Sequence, residues 1–404
     1  MRLISLSPEY LESEEVLPFD VFDAEGNLLL HARQSLQDRT TRTTLRTRGI
    51  YADSRSVADW RRRLTARVDA LVRGNETLAV IAKARAEPRR QAEESSRPGE
   101  EWEALVHLLD AALRQSEPEQ PWVERVLEVQ ARVRALTAQR MDEALFHYVY
   151  NGARHAEHYS SHQALRCMLI AGEVARELGW DAADIVVLER AALTMNVGMR
   201  RLQDRLALMV APKLDDNVRK LIARHSEDGA QQLLNSGVAE PDWIEAVRHH
   251  HDAALESLPY ERLSTGQRLA LLLRRVDIYC AKISRRAGRA PLTAMQAAGQ
   301  SCLGPDGRPD RIGAALLKAL GLYPPGCFVQ LASGETGIVL ARGARANHPL
   351  VAALVNARGQ ALMSPLLRDS AQPGLTVRAA LRPDQVPVQP SMPALRQLRM
   401  ALRS

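Results

Sequence analysis

The stretch that decides the reading of this chain is Ala191-Ala192-Leu193-Thr194-Met195-Asn196-Val197-Gly198-Met199-Arg200. It lies inside a run of helical segments from 141 to about 321, with apolar stripes such as Leu165, Met168, Leu169 and Val174 to form a core. Upstream, His162 sits on a helix, in the run from Tyr159 to Arg166; downstream, His225 sits on another, in the run from Ile222 to Ala230. The triplet His249, His250 and His251 follows, and then Asp277 in the run from Leu271 to Tyr279. Imidazoles and carboxylates spread over successive helices are the side chains a divalent ion needs before it can bring the pKa of water near neutrality. Met195 and Asn196, in the middle of the run, carry a soft thioether and a neutral amide.

Composition sets the frame. The chain has 404 residues, long enough for two to four domains, and its aromatic content of 4% favours close helix packing by Ala, Leu and Val over an aromatic β core. Lys and Arg exceed Asp and Glu by 54 to 48, spread along the chain without interleaved aromatics, so a solvated surface is expected and a nucleic-acid partner is not. Cys167, Cys280, Cys302 and Cys327 are far apart with no CxxC spacing and read as reduced thiols in a cytoplasmic protein. No segment has the length and apolarity of a signal sequence or a membrane span.

Outward from the centre, the chain divides into four. Residues 1–55 carry a hairpin pattern, two apolar runs around Asp23-Ala24-Glu25-Gly26-Asn27, then a short helix over 40–48 ending at Gly49. Residues 56–140 read as a helical connector: a helix from Ser56 into the 80s, a polar linker with Pro88 and Pro98, and a second polar break around Pro118 and Pro121. Trp122, Val126, Val129, Val133 and Leu136 then recur at four, three, four and three, the pattern of a packed helix or of a short dimerising one. Residues 141–321 form the helical domain, and 322–404 change to short β-branched runs between glycine loops, the pattern of a small antiparallel sheet and tail. The expected fold class is therefore mainly α, with a small α+β module before the bundle and a β module after it.

The order His162, Met195-Asn196, His225, His250-His251, Asp277, closed by Gly321-Leu322-Tyr323-Pro324-Pro325-Gly326, resembles the HD-GYP branch of the HD superfamily. That resemblance implies an all-helical HD bundle, hydrolysis of the bacterial second messenger cyclic di-GMP, and ligation of iron or manganese by His162, His225, His250, His251 and Asp277. It also implies where this chain departs. Met195 and Asn196 replace the His-Asp pair, Met199 replaces a phosphate-holding lysine, His158 stands where many members have a carboxylate, Cys280 replaces a second aspartate, and residues 253–259 contain no Gly-Tyr-Pro loop. Loss of two metal ligands and a phosphate contact argues against catalysis, since one catalytic hydrogen-bond donor alone is worth on the order of 10²–10³ in rate.

Two readings follow. In one, the chain is a bacterial regulatory protein, a cytoplasmic pseudo-phosphodiesterase without a metal cofactor that binds a signalling partner, cyclic di-GMP or a second copy of itself. In the other, the surviving ligands hold one iron or manganese ion and support weak or altered phosphohydrolase activity. Arg200, Arg201, Arg285, Arg286 and Arg289 lie near the pocket in sequence and are candidate phosphate contacts, against solvated surface as the plainer role. His31, His107, His147, His155 and His348 show no ligand spacing and are expected at the surface.

Overall fold

A computed structural model describes residues 3–6, 20–24, 26, 28–30, 50–54, 56–57, 60, 100–211, 214–303 and 307–402. The expected helices over 40–48 and from Ser56 into the 80s, and the linker over 86–99, lie largely or wholly outside these residues. The chain forms two compact units, Met1–Arg97 and Pro98–Ser404.

In the first unit, β1 (Leu3–Ser5), β2 (Val21–Phe22), β3 (Leu28–Leu30) and β4 (Tyr51–Asp53) make an antiparallel sheet in the order β1-β4-β2-β3. The hairpin β2-β3 pairs Val21 with Leu30 and Phe22 with Leu28, and Gly26 in its turn takes a φ of 87° that an L side chain rarely adopts. Leu6, Val21, Ile50, Ala52 and Val57 form its small core.

The second unit is mainly helical. It comprises α1 (Glu100–Arg114), α2 (Trp122–Gly152), α3 (Tyr159–Glu177), α4 (Ala182–Thr194), a 3-10 turn (Val197–Met199), α5 (Arg200–Leu208), α6 (Asp216–Asn235), α7 (Pro241–His249), α8 (Thr265–Lys282), α9 (Ala294–Ser301) and α10 (Arg311–Leu320). The starts are locally encoded: Asp215, Ser264, Thr293 and Asp310 each accept a backbone N–H of the first turn, and Ser264 and Thr293 complete capping boxes with Gln267 and Gln296. α3 is the central element, buried along nearly its whole length from Tyr159 to Ala175 and touched by α2, α4, α8 and α10. Trp102, Leu105 and Leu109 of α1, and Trp122, Val126, Val129 and Val133 of α2, belong to the same core as α3 and α4. α2 is kinked at Arg140, whose backbone leaves helical geometry.

A second antiparallel sheet closes the unit: β5 (Phe328–Leu331), β6 (Thr336–Ala341), β7 (Leu350–Val355), β8 (Ala361–Asp369) and β9 (Val377–Leu381), in the order β8-β7-β6-β5-β9. One face packs Phe328, Ile338, Leu340 and Leu354 with Phe146 and Tyr150 of α2 and with Leu395 of a last helix, α11 (Met392–Ala401). Gly326 makes the crossing from bundle to sheet feasible. Its φ is 94°, and a β-carbon there would lie 2.8 Å from the Phe146 carbonyl oxygen. Arg342, just past β6, ties the layers together: its guanidinium donates to Asp142 of α2 (2.6 Å), to Glu173 of α3 (2.6 Å) and to the Ala319 carbonyl of α10 (2.7 Å). β8 is an edge strand with Pro365 in it and Met363, Leu366 and Leu367 exposed, which is why the sequence pattern of a half-buried strand does not reveal it.

Candidate functional site

His225 lies midway along α6, and His250 and His251 follow the last turn of α7. α6 and α7 pack directly against each other, so the three rings meet. The histidine Nε2 atoms of His225 and His250 are 3.3 Å apart, and one ligand nitrogen from each of the three residues lies within 4.8 Å of the others. His225 and His250 are buried and His251 is exposed. Each buried ring is fixed from behind: His225 Nδ1 lies 2.6 Å from the Ile222 carbonyl oxygen and His250 Nδ1 lies 2.7 Å from that of Val247. A carbonyl can only accept, so both Nδ1 atoms carry the proton and both Nε2 atoms present lone pairs to the shared space. Burial pushes the imidazolium forms down at all three residues, furthest at His250, and this outweighs the opposing pull of Asp277 on His225 and His251. Neutral rings with converging lone pairs are the ligand form that a divalent ion requires. Among the described residues, these three are the group of His, Cys, Asp or Glu gathered closely enough for one ion.

Asp277 on α8 is buried beside this cluster and held by α3. Gln163 donates its side-chain N–H to the Asp277 carboxylate at 2.8 Å, and the Gln163 carbonyl oxygen accepts from the Arg166 guanidinium at 3.1 Å and from the Ser284 hydroxyl at 3.3 Å. Arg166 is only 1% exposed and forms no ion pair with a carboxylate among the described residues, so its charge reaches Asp277 through the amide of Gln163. Gly152 leaves room for it: a β-carbon there would lie 2.0 Å from the guanidinium.

His162 is placed elsewhere. Its ring faces α1 and α2, with Nε2 at 3.8 Å from the Glu103 carboxylate, and burial holds it neutral with a pKa of about 3. His147 approaches the other oxygen of Glu103 at 3.4 Å, and this contact leads a set of imidazole contacts that hold Glu103 down at about 2 against burial. His147 is therefore a buried residue of this region, a correction to its expected place at the surface. His107 and His155 are exposed as expected, His348 is half-buried, and His31 lies outside the described residues. α1 was missed by motif order because it precedes the helices that carry the motif. Its Glu103, His107 and Asp110 recur at four and three and reach the residues around α3, with Asp110 at 3.3 Å from His158 and 3.1 Å from Arg200. His158, at a φ of 47°, is the one non-glycine residue with positive φ among the described residues.

The stretch Ala191–Arg200 runs from the end of α4 through the 3-10 turn into α5. Met195 is fully buried and part of the main apolar core; Asn196 is buried with its Oδ1 lacking a hydrogen-bond partner. The turn that follows is pressed onto α6, where a β-carbon on Gly198 would lie 2.4 Å from the His225 carbonyl oxygen. Met199 lines a cavity of about 350 Å³ with Arg114, Arg200, Arg201 and Gln232. Arg200 is engaged there by Asp110 and Asp204. Of the other candidate arginines, Arg201, Arg285 and Arg289 are exposed and Arg286 is half-buried. Arg286 donates to the Tyr159 hydroxyl at 2.9 Å and lies over that ring, Arg289 donates to the Ala281 carbonyl at 2.6 Å, and the Arg285 backbone N–H donates to Gly152. Residues 253–259 form a short 3-10 turn over Ala253–Ser257 followed by extended chain at Leu258 and Pro259.

The residues fit one ion at His225, His250 and His251 and do not reproduce a bridged centre, because Met195 is spent on the core and Asn196 carries no charge.

No protein-family model matches the chain. Over 228 residues it is 27% identical to Cyclic di-GMP phosphodiesterase PA4108 of Pseudomonas aeruginosa, covering 55% of this chain and 54% of that protein, so it spans about half the length of this curated relative. A solved structure, an HDG"Y"P protein from Bdellovibrio bacteriovorus, aligns at 14% identity with a TM-score of 0.39, covering 78% of this chain and 98% of that one. The order of the motif positions along the chain, the helical bundle that carries them and the similarity to the Pseudomonas protein agree in likening the chain to the HD-GYP family, with Met195 and Asn196 where the His-Asp pair would stand.

Proposed function

We propose that this chain is a regulatory protein of cyclic di-GMP signalling whose helical domain does not hydrolyse the messenger and acts by binding it or a protein partner, a second copy of the chain being one such partner. The observation that carries this reading is the fate of the central pair. A thioether built into the apolar core and a neutral carboxamide cannot grip and bridge the ions that ionise an attacking water. The fold does not depend on that chemistry, since the core of α1 to α4 is made of apolar side chains. Among the described residues no helix is long and apolar enough to cross a membrane, in keeping with the proposed cytoplasmic location.

The test is direct. Protein purified anaerobically and supplied with iron or manganese is incubated with cyclic di-GMP and the products separated by chromatography, while calorimetry measures binding of the same nucleotide. No linear dinucleotide or GMP above the no-protein control is the expected result; brisk turnover overturns the reading.

A second reading keeps one ion and weak phosphohydrolase activity, and the histidine cluster favours it. An ion at His225, His250 and His251 would supply a water of lowered pKa. The chain's own part would be to fix two of the rings through Ile222 and Val247 and to orient the Asp277 carboxylate beside them through Gln163. Stoichiometric metal in protein isolated without chelator, together with slow turnover that His250→Gln removes, would establish it.

A further inference from the structure

We propose that the chain leaving α5 and the tight turn after α8 together form a docking surface for an anionic lipid bilayer, with apolar side chains entering the layer beneath the headgroups and guanidiniums resting on the lipid phosphates. The surface does not depend on whether the chain hydrolyses or binds the messenger.

The apolar half is a run that a water-facing loop does not ordinarily carry. Leu208, Met209, Val210 and Ala211 are four consecutive apolar residues, all exposed, with Leu208 at 55% and Val210 at 76%. Single exposed apolar side chains are common on protein surfaces, whereas an unbroken exposed run marks a place where something covers it. Leu208 is the last residue of α5, and Met209 leaves the helix at a ψ of 130°, so the run continues as extended chain.

The basic half is fixed beside it. Along α5, Arg201, Arg205 and Leu208 are spaced four and three, which puts two exposed guanidiniums on the helix face where the apolar run begins. On the other side stands the turn Arg286–Arg289, closed by two backbone hydrogen bonds between those residues. Ala287 donates its N–H to the Ala207 carbonyl at 2.7 Å, and a β-carbon on Gly288 would lie 2.0 Å from the Val210 carbonyl oxygen. The two segments therefore touch backbone to backbone, and the exposed Arg285 and Arg289 are held next to the apolar run.

These charges are not spent inside the protein. Arg200 takes up Asp110 and Asp204, and Asp204 also accepts from Ser160. Arg201, Arg205, Arg285 and Arg289 are left without a carboxylate partner among the described residues, and the Arg289 guanidinium donates to the Ala281 carbonyl. Four such cations around an outward-standing apolar run complement a surface that is negative at its face and apolar beneath, which is the chemistry of a bilayer with acidic headgroups. A free phosphate or an acidic protein segment would answer the cations and leave the apolar run in water; insertion into lipid accounts for both halves at once. Peripheral attachment of this kind needs no spanning helix, and none is present among the described residues.

The experiment floats the full chain with vesicles of phosphatidylcholine alone and of phosphatidylcholine mixed with phosphatidylglycerol. Binding is expected to the mixed vesicles and not to the neutral ones, to weaken as salt is raised, and to survive an excess of glycerol phosphate, the soluble counterpart of the headgroup. Leu208→Ser combined with Val210→Ser is expected to weaken the partition by about tenfold or more. Arg205→Gln and Arg289→Gln are each expected to weaken it on the order of fivefold. All four positions are exposed, and circular dichroism and melting temperature show that each variant folds. Met209→Trp gives a second reading: its emission, taken as a difference from wild type, is expected to shift to the blue on the mixed vesicles alone. No partition onto the mixed vesicles, equal partition onto the neutral ones, or full retention by the Leu208 and Val210 variant overturns the proposal. Displacement by glycerol phosphate overturns it and assigns the arginines to a free phosphate. Binding of polyglutamate without binding of vesicles overturns it and assigns the surface to an acidic protein partner.

Discussion

His225 and His250 face each other Nε2 to Nε2 across 3.3 Å while the far nitrogen of each ring points at a backbone carbonyl of its own helix. With both Nδ1 positions protonated, two lone pairs converge, and only a proton or a cation between them makes the arrangement attractive. Burial opposes the proton.

His225→Gln and His250→Gln are accordingly expected to weaken Mn²⁺ or Zn²⁺ binding at this cluster by at least tenfold, with His251→Gln weakening it less because that ring is exposed. Calorimetry on chelator-treated protein measures it; equal binding by all three variants would refute the assignment.

The buried histidines set a pH dependence. His162, His225 and His250 all have folded pKa values depressed below the ordinary value near 6.5, so the unfolded chain takes up their protons first. The contribution is constant above about 6.5 and stability falls as pH drops below it, by up to about 1.4 kcal/mol per histidine per pH unit. Glu103 changes stability in the same direction only below its ordinary range, towards about 2. Urea denaturation of the metal-free chain at pH 7.5, 6.5 and 5.5 is expected to show a flat upper step and a steep lower one.

Gln163 and Arg166 separate two costs. Replacing Arg166 by Met removes a buried cation that has no carboxylate partner among the described residues, and such replacements are often neutral or stabilising. Replacing Gln163 by Leu leaves both the Arg166 guanidinium and the Asp277 carboxylate short of a partner, at an expected cost of about 3 kcal/mol or more. Thermal melts of the two variants should diverge in that order.

Restoring the central pair tests how far the site has drifted. Met195→His puts an imidazole into an apolar core position and is expected to lower stability by about 1–3 kcal/mol. Asn196→Asp, in contrast, adds a charge at a buried residue whose Oδ1 has no partner, and its melting temperature is expected to rise when Mn²⁺ is added. A metal-independent melt in both variants and in the double variant would show that neither position faces an ion.

The helical bundle was legible in the sequence because its stripes are strict: Leu165, Met168, Leu169 and Val174 are all buried on α3. Loop glycines and β-branched runs made the last sheet visible, but not β8, which exposes apolar residues on an edge. Motif order located His225, His250, His251 and Asp277 because consecutive packed helices bring them close. It placed His162 in the same group, whereas in the structure that ring looks towards Glu103 and His147. Contacts made across helices that motif order does not include leave no periodic trace, so α1 gave no signal and His147 looked like a surface residue.

Arg342 gives the tail a mechanical meaning. One side chain grips α2, α3 and the last residue but one of α10, so any displacement of the β sheet pulls on the helix that carries His162 and Gln163. Severing the chain after Gly321 would not trim an ornament: it would unhitch three helices from a common cation and lay bare the Phe146 and Tyr150 face. Whatever grasps the sheet from outside thereby has a lever on the interior of the bundle.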